Sequence, residues 1–427
     1  MRKPYIIVTL YFLLSACSNL DGVKPASTSA SIFFYGGNGN YTATSAIELA
    51  DGFLLVGDSV AVDNYGIVVI RTDIAGKTVW RKIINGAIAS AVLTTADGYL
   101  IVGDSIKVDL KQTTVIDQVK RKLRLIAMNS SGLIVKDKYW GDPANSRTDL
   151  HGTSITIDPQ GNIISTSIIK PPGVYSYTQA SMHNPSTLEI QWSKFYNQDT
   201  KDYQNSKSVF VNKQGNIIWA TSAVATTATA SRSFLRVPVL VPNVTFSNDA
   251  VFGQNEQDSY HSGNDIKPNA VGYGIIGTYR TFTGDKSNVF FIRTDPAGNP
   301  VAGSEQYFDG ITTANDKKSL SDKTISETQD EGLALTSTRD GGFVLAGYTT
   351  SSINGAWGNG GKDIYLIRID PFGNVLWTKT LGGTGDEVPA SITQTADEGF
   401  LISGTLTLAG QSSIFLIKTN SKGELKN

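Results

Sequence analysis

One phrase returns seven times along this chain: a Gly, an aromatic residue or Asn, three mostly apolar residues, then a small residue. It reads GFLLVG from Gly52, GYLIVG from Gly98, GNIIST from Gly161, GNIIWA from Gly215, GYGIIG from Gly272, GFVLAG from Gly342 and GFLISG from Gly399. A second phrase follows most copies, an apolar strand, a polar turn and another strand, as in IVVIRTDIAGKTVW (67–80) and IYLIRIDPFGNVLW (364–377). Its Asp-Pro-x-Gly-Asn turn carries its own chemistry, because Pro presets φ, Gly accepts φ > 0 and Asp caps the bend. Each repeat therefore holds four short strands, a to d. Helical periodicity is nearly absent. Four strands at a spacing of 46 to 70 residues predict the blades of a β-propeller. The expected fold is all-β, a single propeller of seven four-stranded blades, with eight as the alternative.

The chain ends also fit a ring. The segment YGGNGNYTATSAIELADGF (35–53) aligns with LGGTGDEVPASITQTADEGF (381–400). Gly423 matches Gly373, so the final Asn427 falls where Trp377 falls, and Ser31 takes the same place. Residues 31–37 are therefore expected to close the last blade as its outermost strand, leaving no open sheet edge there.

Composition enters where it excludes. A single Cys in 427 residues forms no internal disulfide and no Cys-based metal cluster. A formal charge of −1 argues against a nucleic-acid coat. Hydrophobic residues at 40% and charged residues at 18% argue against a disordered chain.

That one Cys has a specific context. Arg2 and Lys3 precede an apolar stretch from Tyr5 to Leu14, too short for a membrane span and suited to a secretory signal. Leu14-Ser15-Ala16-Cys17 follows and resembles a bacterial lipobox. The resemblance implies a lipoprotein signal peptide over 1–16, a lipidated Cys17 with a small, polar tether over 17–30, and a propeller domain over 31–427. Ser18 in place of Asp implies the outer membrane, with the cell-surface or periplasmic side left open. The repeats resemble bacterial propeller repeats of the broad PQQ-like and SBBP-like kind. The resemblance is carried by Asp370-x-x-Gly373-x-x-x-Trp377, Asp73-x-x-Gly76-x-x-x-Trp80 and the Leu381-Gly382-Gly383-x-Gly385-Asp386 run. With the lipobox, the chain is similar to envelope lipoproteins of Bacteroidota-type bacteria, which implies fold and location more than activity.

Motifs that suggest chemistry mostly dissolve into repeat positions. Gly57-Asp58-Ser59 and Gly103-Asp104-Ser105 resemble the GDS motif of a serine hydrolase family, but both end strand b in register, and no Asp-x-x-His partner accompanies them. Asp97, Asp340 and Asp397 share one hairpin turn, so an Asp-box reading yields to turn chemistry. Trp80 and Trp377 share a strand-d position, with Trp192 close to it, and read as blade-to-blade packing. Arg71, Arg293, Arg368 and Lys418 lie two residues before Asp73, Asp295, Asp370 and Asn420 and read as strand and turn pairs. His151, His183 and His261 are assigned to different repeats and show no metal-ligand spacing. PQQ-dependent enzymes usually have eight blades and often a disulfide of adjacent cysteines, so no cofactor is expected.

Loop lengths then point to a face. The a–b and c–d turns are short, whereas the longer insertions (105–122, 168–177, 221–232 and 349–363 between b and c, 253–269 and 309–330 between d and a) emerge on the other side. Collected insertions mark the binding face of a repeat protein. Candidate binding residues there are Tyr41, Tyr175, Tyr260 and Trp357, with Asn359, Asp363, Lys317 and Lys318 as polar neighbours. The expectation is a non-enzymatic, lipid-anchored propeller that binds an outer-membrane protein complex or a surface glycan. The alternatives are a polysaccharide-active or PQQ-like propeller enzyme, and a spacer without a ligand.

Overall fold

The computed structural model describes residues 31–61, 64–106, 121–141, 148–171, 173, 175–196, 202–226, 231–241, 246–252, 259–281, 286–310, 328–351 and 361–425. These form 28 β-strands and no helix. The first strand, β1 (Ser31–Tyr35), belongs to the last blade. Blade 1 is β2 (Asn40–Leu49), β3 (Gly52–Ala61), β4 (Asn64–Asp73) and β5 (Thr78–Asn85). Blade 2 is β6 (Ala87–Thr95), β7 (Gly98–Ile106), β8 (Arg121–Asn129) and β9 (Ile134–Trp140). Blade 3 is β10 (Asp149–Ile157), β11 (Ile163–Lys170), β12 (Tyr177–His183) and β13 (Ile190–Tyr196). Blade 4 is β14 (Asp202–Val211), β15 (Ile217–Thr226), β16 (Ser231–Leu240) and β17 (Phe246–Phe252). Blade 5 is β18 (Ser259–Pro268), β19 (Tyr273–Thr281), β20 (Ser287–Thr294) and β21 (Gln306–Phe308). Blade 6 is β22 (Asp330–Ser337), β23 (Phe343–Thr349), β24 (Asp363–Ile369) and β25 (Val375–Leu381). Blade 7 is β26 (Asp386–Gln394), β27 (Phe400–Leu408) and β28 (Gln411–Thr419), completed by β1 in the order β1-β28-β27-β26. Seven four-stranded blades and the expected closure are both present. Ser31 lies opposite Lys418 and Tyr35 opposite Ile414 in an antiparallel pair. Blades 4 and 5 touch through one parallel pairing, Ser233 with Tyr260.

The core is divided into seven seams, one between each pair of neighbouring blades. The strand period of two explains why the repeated phrase is continuously apolar. In β3, Phe53 and Leu55 face the seam with blade 7, whereas Leu54 and Val56 face the seam with blade 2. Both faces of strand b are buried, so its sequence cannot alternate with polar residues. Each fully buried Leu or Val adds about 1.5–3 kcal/mol.

The Gly that ends the phrase answers a close approach. A Cβ on Gly57 or Gly103 would stand 2.0 Å from the carbonyl oxygen of Thr42 or Ile88 on the neighbouring inner strand. The c–d turn Gly serves the next seam. Gly76 lies against the ring of Phe33 from blade 7, Gly132 against Trp80 from blade 1, and Gly423 against Trp377 from blade 6. The strand-d aromatics are thus packing groups between blades, as the repeat position indicates. The closing strand is held in the same way, and the Tyr35 hydroxyl donates to the Gly76 carbonyl at 2.9 Å.

Two expectations are corrected in detail. The strand-c cations do not pair with the c–d turn acids. Arg71 binds Asp51, Arg368 binds Asp340 through both carboxylate oxygens at 2.6 and 2.5 Å, and Lys418 binds Asp397 at 2.8 Å. Each tie joins strand c to the a–b turn of its own blade. Asp295 and Asp370 instead cap the backbone of their own turns, and Arg293 donates to the Pro371 carbonyl of the next blade at 2.8 Å. The insertion expected over 221–232 is also largely strand, because β15 runs to Thr226 and β16 begins at Ser231.

The closing contact gives a test. Gly76 has φ +76°, and a Cβ there would meet the Phe33 ring at 2.3 Å. Gly76→Ala should destabilise the protein by roughly 2–4 kcal/mol through the left-handed backbone and overpacking. In a Phe33→Ala background the same change should cost less, which a double-mutant cycle of denaturation curves would measure.

Candidate functional site

Every inner strand carries a β-bulge at the same level of the ring. The register skips one residue between Ala43 and Ser45, Ala89 and Ala91, Gly152 and Ser154, Gly263 and Asp265, Gly332 and Ala334, and Pro389 and Ser391. In β14 the register shifts by two, with the three residues between Asn205 and Val209 standing against the single residue between Trp219 and Thr221. A bulge leaves its extra residue unpaired and re-aims it. Three single-bulge residues, Thr44, Ser90 and Thr153, line a cavity of about 270 Å3 together with Ala43, Ala89, His151 and Lys207. Lys207 is the middle of the three residues in the β14 bulge.

The residue at the end of strand b carries the ring's polar ties. Asp58 accepts the Ala89 N–H at 2.7 Å, Asp104 accepts the Gly152 N–H at 2.8 Å, the Ser222 hydroxyl accepts the Gly263 N–H at 2.9 Å, and the Thr405 hydroxyl accepts the Ala43 N–H at 3.0 Å. Each tie crosses from one blade to the inner strand of the next. The GDS sequences are therefore inter-blade ties, and their repetition in register has this cause.

Asp104 does more than tie blades. Its side chain is fully buried, and its second oxygen is hydrogen-bonded to Nδ1 of His151, whose side chain is 31% exposed. Arg121 Nη1 stands 3.9 Å from the same oxygen. With Nδ1 directed at Asp104, Nε2 is the ring nitrogen left to the cavity. Asp149 lies beside this group, accepting the Arg121 N–H at 2.6 Å, and burial raises its pKa. Burial pushes Asp58 up to about 7; the Ala89 N–H opposes this and the Asp104 charge reinforces it.

The other histidines have structural roles. His151 and His183 prove to share blade 3, on β10 and β12, contrary to the assignment to separate repeats. His183 is buried between Ser165 Oγ (2.8 Å) and the Leu188 carbonyl (3.2 Å), packs on Trp140, and is lowered by burial to about 4. His261 packs among Tyr279, Phe290 and Tyr307. Among the described residues no three acids, His or Cys are grouped to hold a metal ion.

The proposed binding-face residues scatter. Tyr175 is 46% exposed between strands b and c of blade 3. Tyr260 is half-buried, with the Arg280 guanidinium 5.1 Å from its ring centre. Tyr41 is not an exposed aromatic: it is 8% exposed, lying in the seam between blades 7 and 1 with Arg81 over its ring at 4.6 Å. Asp363 is also buried, at 3% exposure, because its carboxylate packs against Gly382, and burial and Asp386 raise its pKa. Cys17, Lys317, Lys318, Trp357 and Asn359 lie outside the described residues. None of the described candidates, Tyr41, Tyr175, Tyr260 and Asp363, lines the channel cavity. Sequence reasoning missed His151 and Lys207, and the signal available was the pair of Asp residues after Gly57 and Gly103 with His151 opening the next repeat.

No family model matches the chain, and no curated protein matches it. Solved structures do. A protein of unknown function from Dyadobacter fermentans DSM 18053 is 10% identical, with a TM-score of 0.46 over 92% of this chain and 98% of that one. Trypanosoma rangeli sialidase in complex with sialic acid is 10% identical, with a TM-score of 0.44 over 93% of this chain and 56% of that one. A subtype N10 neuraminidase-like protein of A/little yellow-shouldered bat/Guatemala/060/2010 is 9% identical, with a TM-score of 0.40 over 91% and 98%. The chain spans little more than half the length of the sialidase, and the likeness is one of fold. The expectation of a protein without enzymatic activity is corrected to the extent that the structures similar in fold include sialidases, which are enzymes. The channel brings together an imidazole, a buried carboxylate and an amine that lie far apart in the sequence.

Asp58 makes the electrostatics testable. Its folded pKa of about 7 exceeds the reference 3.8, so stability held in acid is lost as pH rises from about 4 through 7. Asp58→Asn keeps an oxygen for the Ala89 N–H and removes the titration. Relative to wild type it should gain roughly 1–3 kcal/mol between pH 4 and pH 8, read from urea denaturation at the two values.

Proposed function

We propose that this protein is a carbohydrate-active propeller that takes one sugar unit into the channel cavity and moves a proton there through His151. The observation that carries this reading is the His151–Asp104 pair, whose imidazole opens into a cavity lined by the hydroxyl residues Thr44, Ser90 and Thr153. A carboxylate on Nδ1 fixes the tautomer and supports positive charge on the ring, so Nε2 can accept or return a proton. Hydroxyl side chains donate and accept, which suits the hydroxyls of a sugar. The cavity, at about 270 Å3, lies just below the ~300–1,000 Å3 of drug-sized sites and favours a single unit over an extended chain. Tyr175, exposed on the same blade as His151, offers a ring for stacking further along a glycan.

The location belongs to the proposal as well. The Leu14-Ser15-Ala16-Cys17 sequence supports a lipid on Cys17 and a place at the outer membrane of a Bacteroidota-type bacterium. Such an anchor keeps the ring near envelope glycans or an outer-membrane complex.

Two experiments test these halves. On a panel of neutral and acidic aryl glycosides, wild-type protein should release aglycone. His151→Ala and Asp104→Asn should lose about 100-fold or more, the usual share of a proton-transfer group. No release by wild type, together with a blank glycan array, overturns the reading. In cells fed a labelled fatty acid, the protein should carry label that Cys17→Ala abolishes, and an unlabelled wild type overturns the anchor.

A further inference from the structure

Lys207 has no part in the proton transfer assigned to His151, yet it is the cavity's most unusual group. Six inner strands bulge by one residue and β14 by two, with residues 206–208 standing against Ala220 alone, so the ring departs from its own repeat where it presents this amine. The bulge is held in place. The Ser154 hydroxyl donates to the Lys207 carbonyl at 2.9 Å, and Lys267 Nζ binds the Ser208 hydroxyl next to it. Water reaches the side chain from the channel. Its Nζ donates to one acceptor, the neutral Ala390 carbonyl of blade 7, at 3.3 Å. Among the described residues no carboxylate pairs with it.

The charged neighbours do not supply that pairing. Asp265 is bound to Lys267 at 3.2 Å and accepts the Ile266 N–H at 2.9 Å and the Leu335 N–H at 3.0 Å. His151 shares the cavity, and Asp104 is turned to the imidazole and to Gly152. Lys207 is exposed to the channel; the strands around it still desolvate the amine and lower its pKa, which Asp265 opposes and Lys267 reinforces. An amine in a cavity without a counter-ion gives up its proton more readily and becomes a nucleophile.

We propose that Lys207 is a covalent capture site for a small aldehyde, such as the open-chain form of a sugar, which it holds as an imine in the channel cavity. The amine nitrogen bonds to the carbonyl carbon. The carbonyl oxygen leaves as water with the two hydrogens of the amine, and nothing is oxidised or reduced. His151, on the same cavity wall, is placed to pass the proton that the departing oxygen needs. The site is the cavity of the glycan reading, but capture requires only an aldehyde, so the two can fail separately.

The test is reductive trapping on the full mature chain. Protein is incubated at pH 7 with glycolaldehyde and cyanoborohydride, which reduces an imine to a stable secondary amine, and lysine peptides are quantified by mass spectrometry. Adduct at Lys207 should exceed that at the exposed Lys77 and Lys213 by at least tenfold, and the excess should vanish in urea. Lys207→Arg should remove the adduct while His151→Ala slows its formation. Labelling of Lys207 no greater than that of Lys77 in the folded protein overturns the proposal, whatever the variants do. A glycosidase-negative protein that still traps aldehyde at Lys207 sinks the glycan reading alone.

Discussion

The structure depends on the apolar seam between neighbouring blades. No blade has a core of its own; its inner strands are buried on both faces, each face shared with a neighbour. Seven such seams must close into a ring, because an open array would leave a hydrophobic face in water at each end. The last seam is made from both ends of the described chain, where Phe33 and Tyr35 of β1 pack with Leu401, Ile414 and Leu416 of β27 and β28 and with Phe53 and Leu55 of blade 1. Loss of that strand would therefore open a seam and a sheet edge together.

Polar chemistry is confined to the axis by the same packing. Side chains that leave the seams near the centre meet other inner strands, and the bulges direct them there. Most are used to join blades, as Asp58, Ser222 and Thr405 do by accepting backbone N–H groups. Asp104 joins blades with one oxygen and orients His151 with the other. A carboxylate that is already structural thus places an imidazole in the cavity. Lys207 reaches the same space by the opposite route, through a break in the repeat.

Much of the fold was legible because the seams impose a strict pattern. A strand buried on both faces is mostly apolar, and a small residue, Gly in five of the seven copies, stands where the inner strand bulges close, so the GFLLVG-type phrase is the seam written out. The site was far less legible. Asp104 and His151 lie 47 residues apart and on different blades, and only their shared seam brings them together. Tyr41 reads as an exposed loop aromatic, yet the turn of chain at Gly37 and the Arg81 side chain cover it. Asp363 opens a strand after a long insertion, which suggests exposure, but the Gly382 backbone of the neighbouring connection packs against it.

Local pattern was enough for the all-β class, the four-strand repeat and the N-terminal strand that closes the ring, which the structure bounds at Ser31–Tyr35, and it favoured seven blades over eight. Those follow from local periodicity and turn chemistry, which need only neighbours along the chain. Tertiary structure alone decided which polar residues meet at the axis. Residues from β10 and β14 face one cavity because the ring curves their strands toward a common centre, and that curvature is set by seven seams at once.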